Sequence, residues 1–218
     1  MVLVFSDSPR GHLKKAAFEA VTFGKKVANA MGTDCAALVL GSKVEDAGQL
    51  GKYGASRVLA ITDTDLDQFD SQIYSTTIAA VSKSLGATVI ITSHTSTGKA
   101  IAGRLAARLD AGLVSGVNAV PEISGSNFIV KKSVFSGKAI AEYAISSEIK
   151  IISLMGNAVK PETLGSAVAV ENLAVEIPAS RIRVIESKTQ EGTVPLPEAE
   201  IVVSAGRGMK GPENWGIV

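Results

Sequence analysis

The sequence predicts an α/β fold: a mostly parallel, doubly wound sheet with flanking helices, extended by antiparallel strands in its second half. Three observations carry this expectation. In the first half, short apolar runs alternate with stretches of three- and four-residue apolar spacing, the rhythm of strands joined by helical crossovers. The short runs are continuously apolar, as strands covered on both faces are. Beyond about Gly112 the helical spacing stops, and β-like runs follow one another between Gly and Ser clusters.

Taken in order, Val2 to Phe5 is the first strand. Leu13, Ala17, Ala20, Val21, Gly24, Val27, Ala28 and Met31 then recur at helical spacing, and Gly32 supplies a C-terminal stop. Cys35 to Leu40 is the second strand. A short helical piece runs from about Val44 to Tyr53 and ends at Gly54, and Arg57 to Ile61 is the third strand. Ile73, Thr77, Ala80, Val81 and Leu85 mark a second long helix stopped by Gly86. Ala87 to Thr92 is the fourth strand. The third helix, from Gly98 to Leu109, puts Ile101, Leu105 and Leu109 on one face and ends at Gly112.

Four β-like runs follow, centred near Val117, Val130, Tyr143 and Ile152. With no helical period between them, they predict hairpin-like antiparallel strands attached to the parallel sheet. Further β-like runs lie at Ala167 to Ile177 and Arg181 to Ile185. Ser187 to Pro197 is polar with two prolines and reads as a linker. Beyond it, Ala199 to Ala205 predicts a fresh strand, followed by the glycine-rich Gly206 to Gly211. One strand and one turn cannot cover their own faces, so this tail reads as the opening of a second domain.

The 218 residues are 46% apolar, with a mean hydropathy of +0.26. A chain of this size buries roughly 70% of its unfolded surface, so it needs no covalent staples. No run approaches the ~18 apolar residues of a membrane span. The N-terminus lacks the basic start, apolar middle and small-residue cleavage site of a secretory signal, and the expectation is a cytoplasmic protein without membrane insertion. Twenty-two basic against 21 acidic residues, with 5% aromatics, argue against nucleic acid as a partner. The single cysteine, Cys35, excludes an internal disulfide framework and a cysteine-rich metal site.

Gly206-Arg207-Gly208-Met209-Lys210-Gly211 matches G-x-G-x-x-G directly after a predicted strand. Glycines there permit a tight turn and close backbone approach to a pyrophosphate, and Arg207 adds a bidentate donor. The same letters also describe an ordinary glycine-rich loop. Asp63, Asp65, Asp67 and Asp70 suggest a calcium loop, but Gln68 and Tyr74 stand where the loop needs Gly and Glu. Their expected role is capping the helix that follows.

Ser93-His94-Thr95-Ser96-Thr97-Gly98 leaves a parallel strand and opens a helix, a place for either a phosphate or a simple cap. His94 reads as a loop residue without a partner. Arg104, Arg108, Lys131 and Lys132 read as solvated charges, and neither His12 nor His94 has zinc-spaced company. Ser6 to Gly11 lacks the Ser-Gly-Gly-x-Asp-Ser run of ATP pyrophosphatases. No nucleophile elbow or Walker A lysine is present, and Cys35 lies inside an apolar strand, so catalytic residues are not expected.

Several segments together resemble the electron transfer flavoprotein alpha subunit. They are Tyr53-Gly54-Ala55-Ser56-Arg57-Val58-Leu59, Thr95 to Val120 (TSTGKAIAGRLAARLDAGLVSGVNAV), Ser136 to Ala141 (SGKAIA), Asn157-Ala158, and Val202 to Gly208 (VVSAGRG), in family order along essentially the whole chain. The resemblance implies a nucleotide-hydrolase-like α/β domain over residues 1–187 with no cofactor of its own. It also implies a linker over 188–197 and, over 198–218, the opening strand and Gly-rich turn of an FAD-binding domain whose remainder is expected beyond Val218.

It further implies that Arg207, Gly206 and Gly208 belong to the flavin site, and that too little of that site is present to retain FAD. The implied partners are a beta subunit, dehydrogenases such as those of fatty acid beta-oxidation, and a quinone oxidoreductase or other acceptor. The chain departs from relatives at Ser6 to Gly11, where they carry acid and His, and at Met155-Gly156, where they often carry Arg-Pro. A stand-alone nucleotide sensor of the universal-stress type, using Thr95 to Gly98 for phosphate, is the alternative.

Overall fold

The computed structural model describes residues 1–125, 127–188, 192–194, 196, 199 and 201–217. By its internal contacts the chain divides into two units, Met1–Val184 and Ile185–Val218.

In the first unit the apolar runs become strands where expected: β1 Val2–Phe5, β2 Cys35–Leu40, β3 Arg57–Ile61 and β4 Val89–Ser93. The periodic stretches become α1 Lys15–Met31, α2 Ser71–Ser84 and α3 Ser96–Leu109. Alternate side chains along each strand face opposite layers. Val2, Val4, Ala37, Val58 and Ile91 pack against Phe23 and Val27 of α1, while Leu3, Phe5, Leu38, Leu59 and Ile90 pack against Ile78, Ile101 and Leu105 of α2 and α3. Gly24 lets α1 lie close on the sheet, because a Cβ there would run into Val4 and sit 3.1 Å from the Cys35 sulfur.

Local terminators follow their chemistry. Gly32 closes α1 in the left-handed region, and Asp70 caps α2 by accepting from the Gln72 amide at 2.8 Å. The piece before β3 is a 3₁₀ helix, Ala47–Tyr53, ended by Gly54. α3 is closed by Asp110 at φ 51° rather than by Gly112, which begins the next strand. A short aspartate can hold the left-handed conformation that glycine usually supplies.

The second half corrects the expected strand pairing. β5 Gly112–Val117 and β9 Lys150–Leu154 join the main sheet in parallel, and with a short edge strand β10 at Val170–Asn172 the order is β10-β3-β2-β1-β4-β9-β5. Between them, β6 Glu122–Ser124, β7 Asn127–Val134 and β8 Ala139–Ala144 form a separate antiparallel sheet. The antiparallel strands thus form a separate small sheet, inserted in the crossover from β5 to β9.

β10 is only Val170–Asn172, parallel to β3. Its Glu171 carboxylate receives both the Nε and Nη2 of Arg57, at 3.0 and 2.6 Å. Arg181 to Ile185 forms no strand.

In the second unit, Ile201 to Ala205 also carries no strand pairing, against expectation. A strand needs a neighbour for its amides and carbonyls, and no described segment pairs with it. The predicted strand's Glu200 and the linker's 189–191, Pro195 and Pro197 lie outside the described residues. Arg207–Met209 is a single 3₁₀ turn, and Asn214 Nδ2 donates to the Met209 carbonyl at 2.8 Å.

Candidate functional site

From β1 the chain steps outward to β2 and β3, then returns to place β4 on the other side of β1. Such a reversal splays the connections at the carboxyl ends of the two central strands and leaves a crevice there, the usual ligand position in an open α/β sheet. Ser6 and Asp7 leave β1 into this crevice, and Ser93 closes β4 with His94 next to it. Thr95 to Gly98 supply the first turn of α3.

Thr95 is the N-cap of α3, its hydroxyl oxygen accepting from the Gly98 amide at 3.2 Å. The same hydroxyl donates to the Asp7 carboxylate at 3.2 Å. Burial raises its carboxyl above the ordinary value of 3.8, outweighing the opposing pull of Thr97, Thr95 and the Ser8 amide. Gly98 is required here, since any Cβ would be driven into the Ser93 carbonyl oxygen. That contact brings the helix end down onto the strand end. Ser93 itself donates to the Ala16 carbonyl at 2.9 Å, tying β4 to α1.

His94 has a partner after all: its Nδ1 lies 2.7 Å from the Ser153 hydroxyl, which also accepts from the Gly116 amide at 3.1 Å. Burial, then the positive Lys99 and Lys132, push its pKa down, which favours the neutral ring. Ser153 lies on β9, 59 residues away. The pairing of β4 with β9 was not readable from spacing.

Two hydroxyls at the strand ends are wholly buried and have no hydrogen-bond partner among the described residues: Ser6 Oγ and Thr92 Oγ1. A separate cleft of about 280 Å³ is lined by His12, Leu13, Phe18, Glu45, Asp46, Gln49 and Tyr53. The Phe18 and Tyr53 rings stand 4.6 Å apart, and His12 pairs with Glu45 at 3.2 Å.

The other singled-out residues take structural places. Asp63 accepts from the Asp65 amide, Asp67 holds the Ser42 amide and hydroxyl at 2.7 Å each, and no metal-sized cluster of His, Cys, Asp or Glu occurs among the described residues. Cys35 is buried against α1, and desolvation pushes its thiol up to about 12, far from a nucleophile's range. Arg108 Nε reaches the Ser75 hydroxyl at 3.3 Å, and Lys131 is held between Glu122 and Glu142.

In the second unit, Gly206, Arg207 and Gly208 are brought together by the turn and are exposed. Neither glycine has any atom within 4 Å of where a Cβ would stand, so the backbone is open to a ligand on both sides of the guanidinium. An exposed guanidinium flanked by open amides has the donor chemistry for a diphosphate. These residues therefore fit the flavin cofactor that the family resemblance implies.

Comparison with known proteins gives a consistent picture. The pattern of the electron transfer flavoprotein domain matches residues 2–205. The chain is 28% identical to the protein FixB of Clostridium saccharobutylicum, over 100% of this chain and 67% of that protein. It is 30% identical to the electron transfer flavoprotein subunit alpha of Bacillus subtilis, over 98% and 66%. It is 25% identical to the LctC subunit of the NAD(+),ferredoxin lactate dehydrogenase of Acetobacterium woodii, over 96% and 51%. The chain thus spans about two thirds of the length of the first two. No helix among the described residues is long and apolar enough to cross a membrane.

Proposed function

The chain belongs to the electron transfer flavoprotein domain family, on its alpha-subunit side, and from that premise we propose how its parts serve electron transfer. It carries electrons from dehydrogenases to a quinone oxidoreductase or another acceptor, in the cytoplasm, through FAD held in a heterodimer with a beta subunit. The observation that carries this reading is the family match over residues 2–205, with alpha-subunit relatives aligned along nearly the whole chain.

FAD supplies the redox chemistry when bound, and the protein binds, orients and shields it. Arg207 offers a bidentate cation to the diphosphate, while Gly206 and Gly208 let the backbone approach it. Residues 1–187 act as a scaffold without catalytic side chains of their own. Residues 188–197 link it to the flavin-holding segment that begins at 198. The polar donors gathered around Asp7 support that division, since a resident carboxylate already engages them.

The test joins the chain to the carboxyl-terminal third of the Bacillus subtilis relative and co-expresses it with a beta subunit of the family, followed by flavin absorbance per heterodimer and reduction by an acyl-CoA dehydrogenase. Arg207→Ala should weaken FAD by about 1.5–3 kcal/mol, the usual worth of a hydrogen bond to a charged group. Failure of the chain to associate with any beta subunit, or an unchanged flavin content in Arg207→Ala, would defeat the proposal.

A further inference from the structure

We infer that Asp7 is a resident counter-anion: it occupies the place in the β1–β4 crevice where a phosphate monoester would bind, and so makes this domain selective against nucleotides. Three features put an anion there. The crevice lies at the switch point of the sheet. The first turn of α3 faces it, and the start of a 14-residue helix favours negative charge. The hydroxyl of Thr95 donates to the Asp7 carboxylate at 3.2 Å, and the Thr97 hydroxyl and Ser8 amide favour its charge from the same side.

Helix capping does not explain the carboxylate, because Thr95 already caps α3 by accepting from Gly98. Asp7 is an additional acceptor stacked behind that cap.

A separate observation shows that the crevice has more polar lining than Asp7 uses. Thr92 Oγ1 is fully buried, unpartnered among the described residues, and aimed at the first turn of α3, 3.4 Å from the position a Gly98 Cβ would take. A lone buried hydroxyl is unfavourable. It is suited to an oxygen of a larger anion than one carboxylate. With Asp7 present, its volume and charge exclude such a guest.

The experiment compares the full chain with Asp7→Ser, which removes bulk and charge, and Asp7→Asn, which removes charge alone. Binding of inorganic phosphate and of AMP is measured by titration calorimetry, with circular dichroism and thermal melting as folding controls. The wild-type chain should give no binding heat. Asp7→Ser should gain phosphate affinity by about tenfold or more, as expected when like charges are no longer juxtaposed.

If AMP binds Asp7→Ser more tightly than phosphate does, the crevice accepts a nucleoside as well, and the inference stands. A folded Asp7→Ser that binds neither probe overturns it, as does a wild-type chain that binds as tightly as the variant. Should Asp7→Ser fail to fold, Asp7→Asn decides: stabilisation by phosphate supports the inference, and no response rejects it. Flavin content in the heterodimer is unaffected by this outcome, so the experiment fails or succeeds apart from the electron-transfer assignment.

Discussion

The parallel sheet and the antiparallel insertion are built on opposite terms. β1 and β2 are buried at every position, while β8 is exposed at five of its six. The parallel sheet has a helical layer on each face and excludes water from both. The insertion is held to the core mainly by one line of residues, Phe128 and Val130 with Ile145, and its outer side relies on charges such as Lys131 between Glu122 and Glu142. Stability therefore resides in the first region, and the second is free to vary its surface.

The sharpest way to break this contrast is a pair of matched truncations. Ile91→Ala, in the middle of β4 and wholly buried, should cost about 2–5 kcal/mol by removing packed atoms and leaving a cavity. Ile140→Ala in β8, 69% exposed, should stay within about 0.5 kcal/mol. Denaturant melts with unchanged slopes would measure both. Comparable losses at the two sites would mean that the insertion is covered in solution.

Next in size is Gly98→Ala, which asks whether the carboxyl edge of the sheet is as unyielding as its centre. Its Cβ meets a backbone carbonyl, which cannot rotate away as a side chain can. A loss of about 1–3 kcal/mol is expected, read from the thermal midpoint. A neutral result would show that α3 can slide on β4.

Thr95→Ala should cost about 1 kcal/mol as a lost N-cap. It should also loosen Asp7, which loses one of its donors. Helical dichroism on denaturant titration would record the loss, and no change at all would remove Thr95 from both roles.

How legible these regions were in the sequence follows from the same contrast. β1 to β4 and the three helices were readable because local period and glycine punctuation determine them. β5 and β9 were not, because they pair in parallel across an insertion, and sequential short β-runs look alike whether they pair as hairpins or at long range. Arg181 to Ile185 and Ile201 to Ala205 have β-like composition but no pairing neighbour among the described residues, and composition does not supply one.

At the crevice, the Thr95 cap was readable from Ser and Thr preference, whereas the His94–Ser153 contact depended on the unread pairing of β4 with β9. Asp7 lies in a loop whose residues match no motif. The signal was an acid just after the first strand, in a sheet whose fourth strand ends in a run of hydroxyls.

The smallest expected effect separates the centre of the parallel sheet from its exposed edge by pH. Asp7 is raised above 3.8 in the folded state, chiefly by burial. A carboxyl raised on folding binds more protons when folded than when unfolded in the window above 3.8. Its linkage term therefore lowers stability as pH rises through that window and vanishes below it. Glu171, on the exposed edge strand, is shifted the other way by Arg57, so its contribution is present at neutral pH and lost on acidification. Asp7→Asn should consequently gain on the wild type as pH rises above about 4, and Glu171→Gln should lose ground as pH rises toward 4.5 and hold a constant difference beyond that window. Each is read as a difference in melting temperature between variant and wild type at matched pH, which cancels every other titrating group. A flat difference for Asp7→Asn would mean that its carboxylate is solvated and not held in the crevice, whereas a rising one shows a buried charge kept against the domain's own stability.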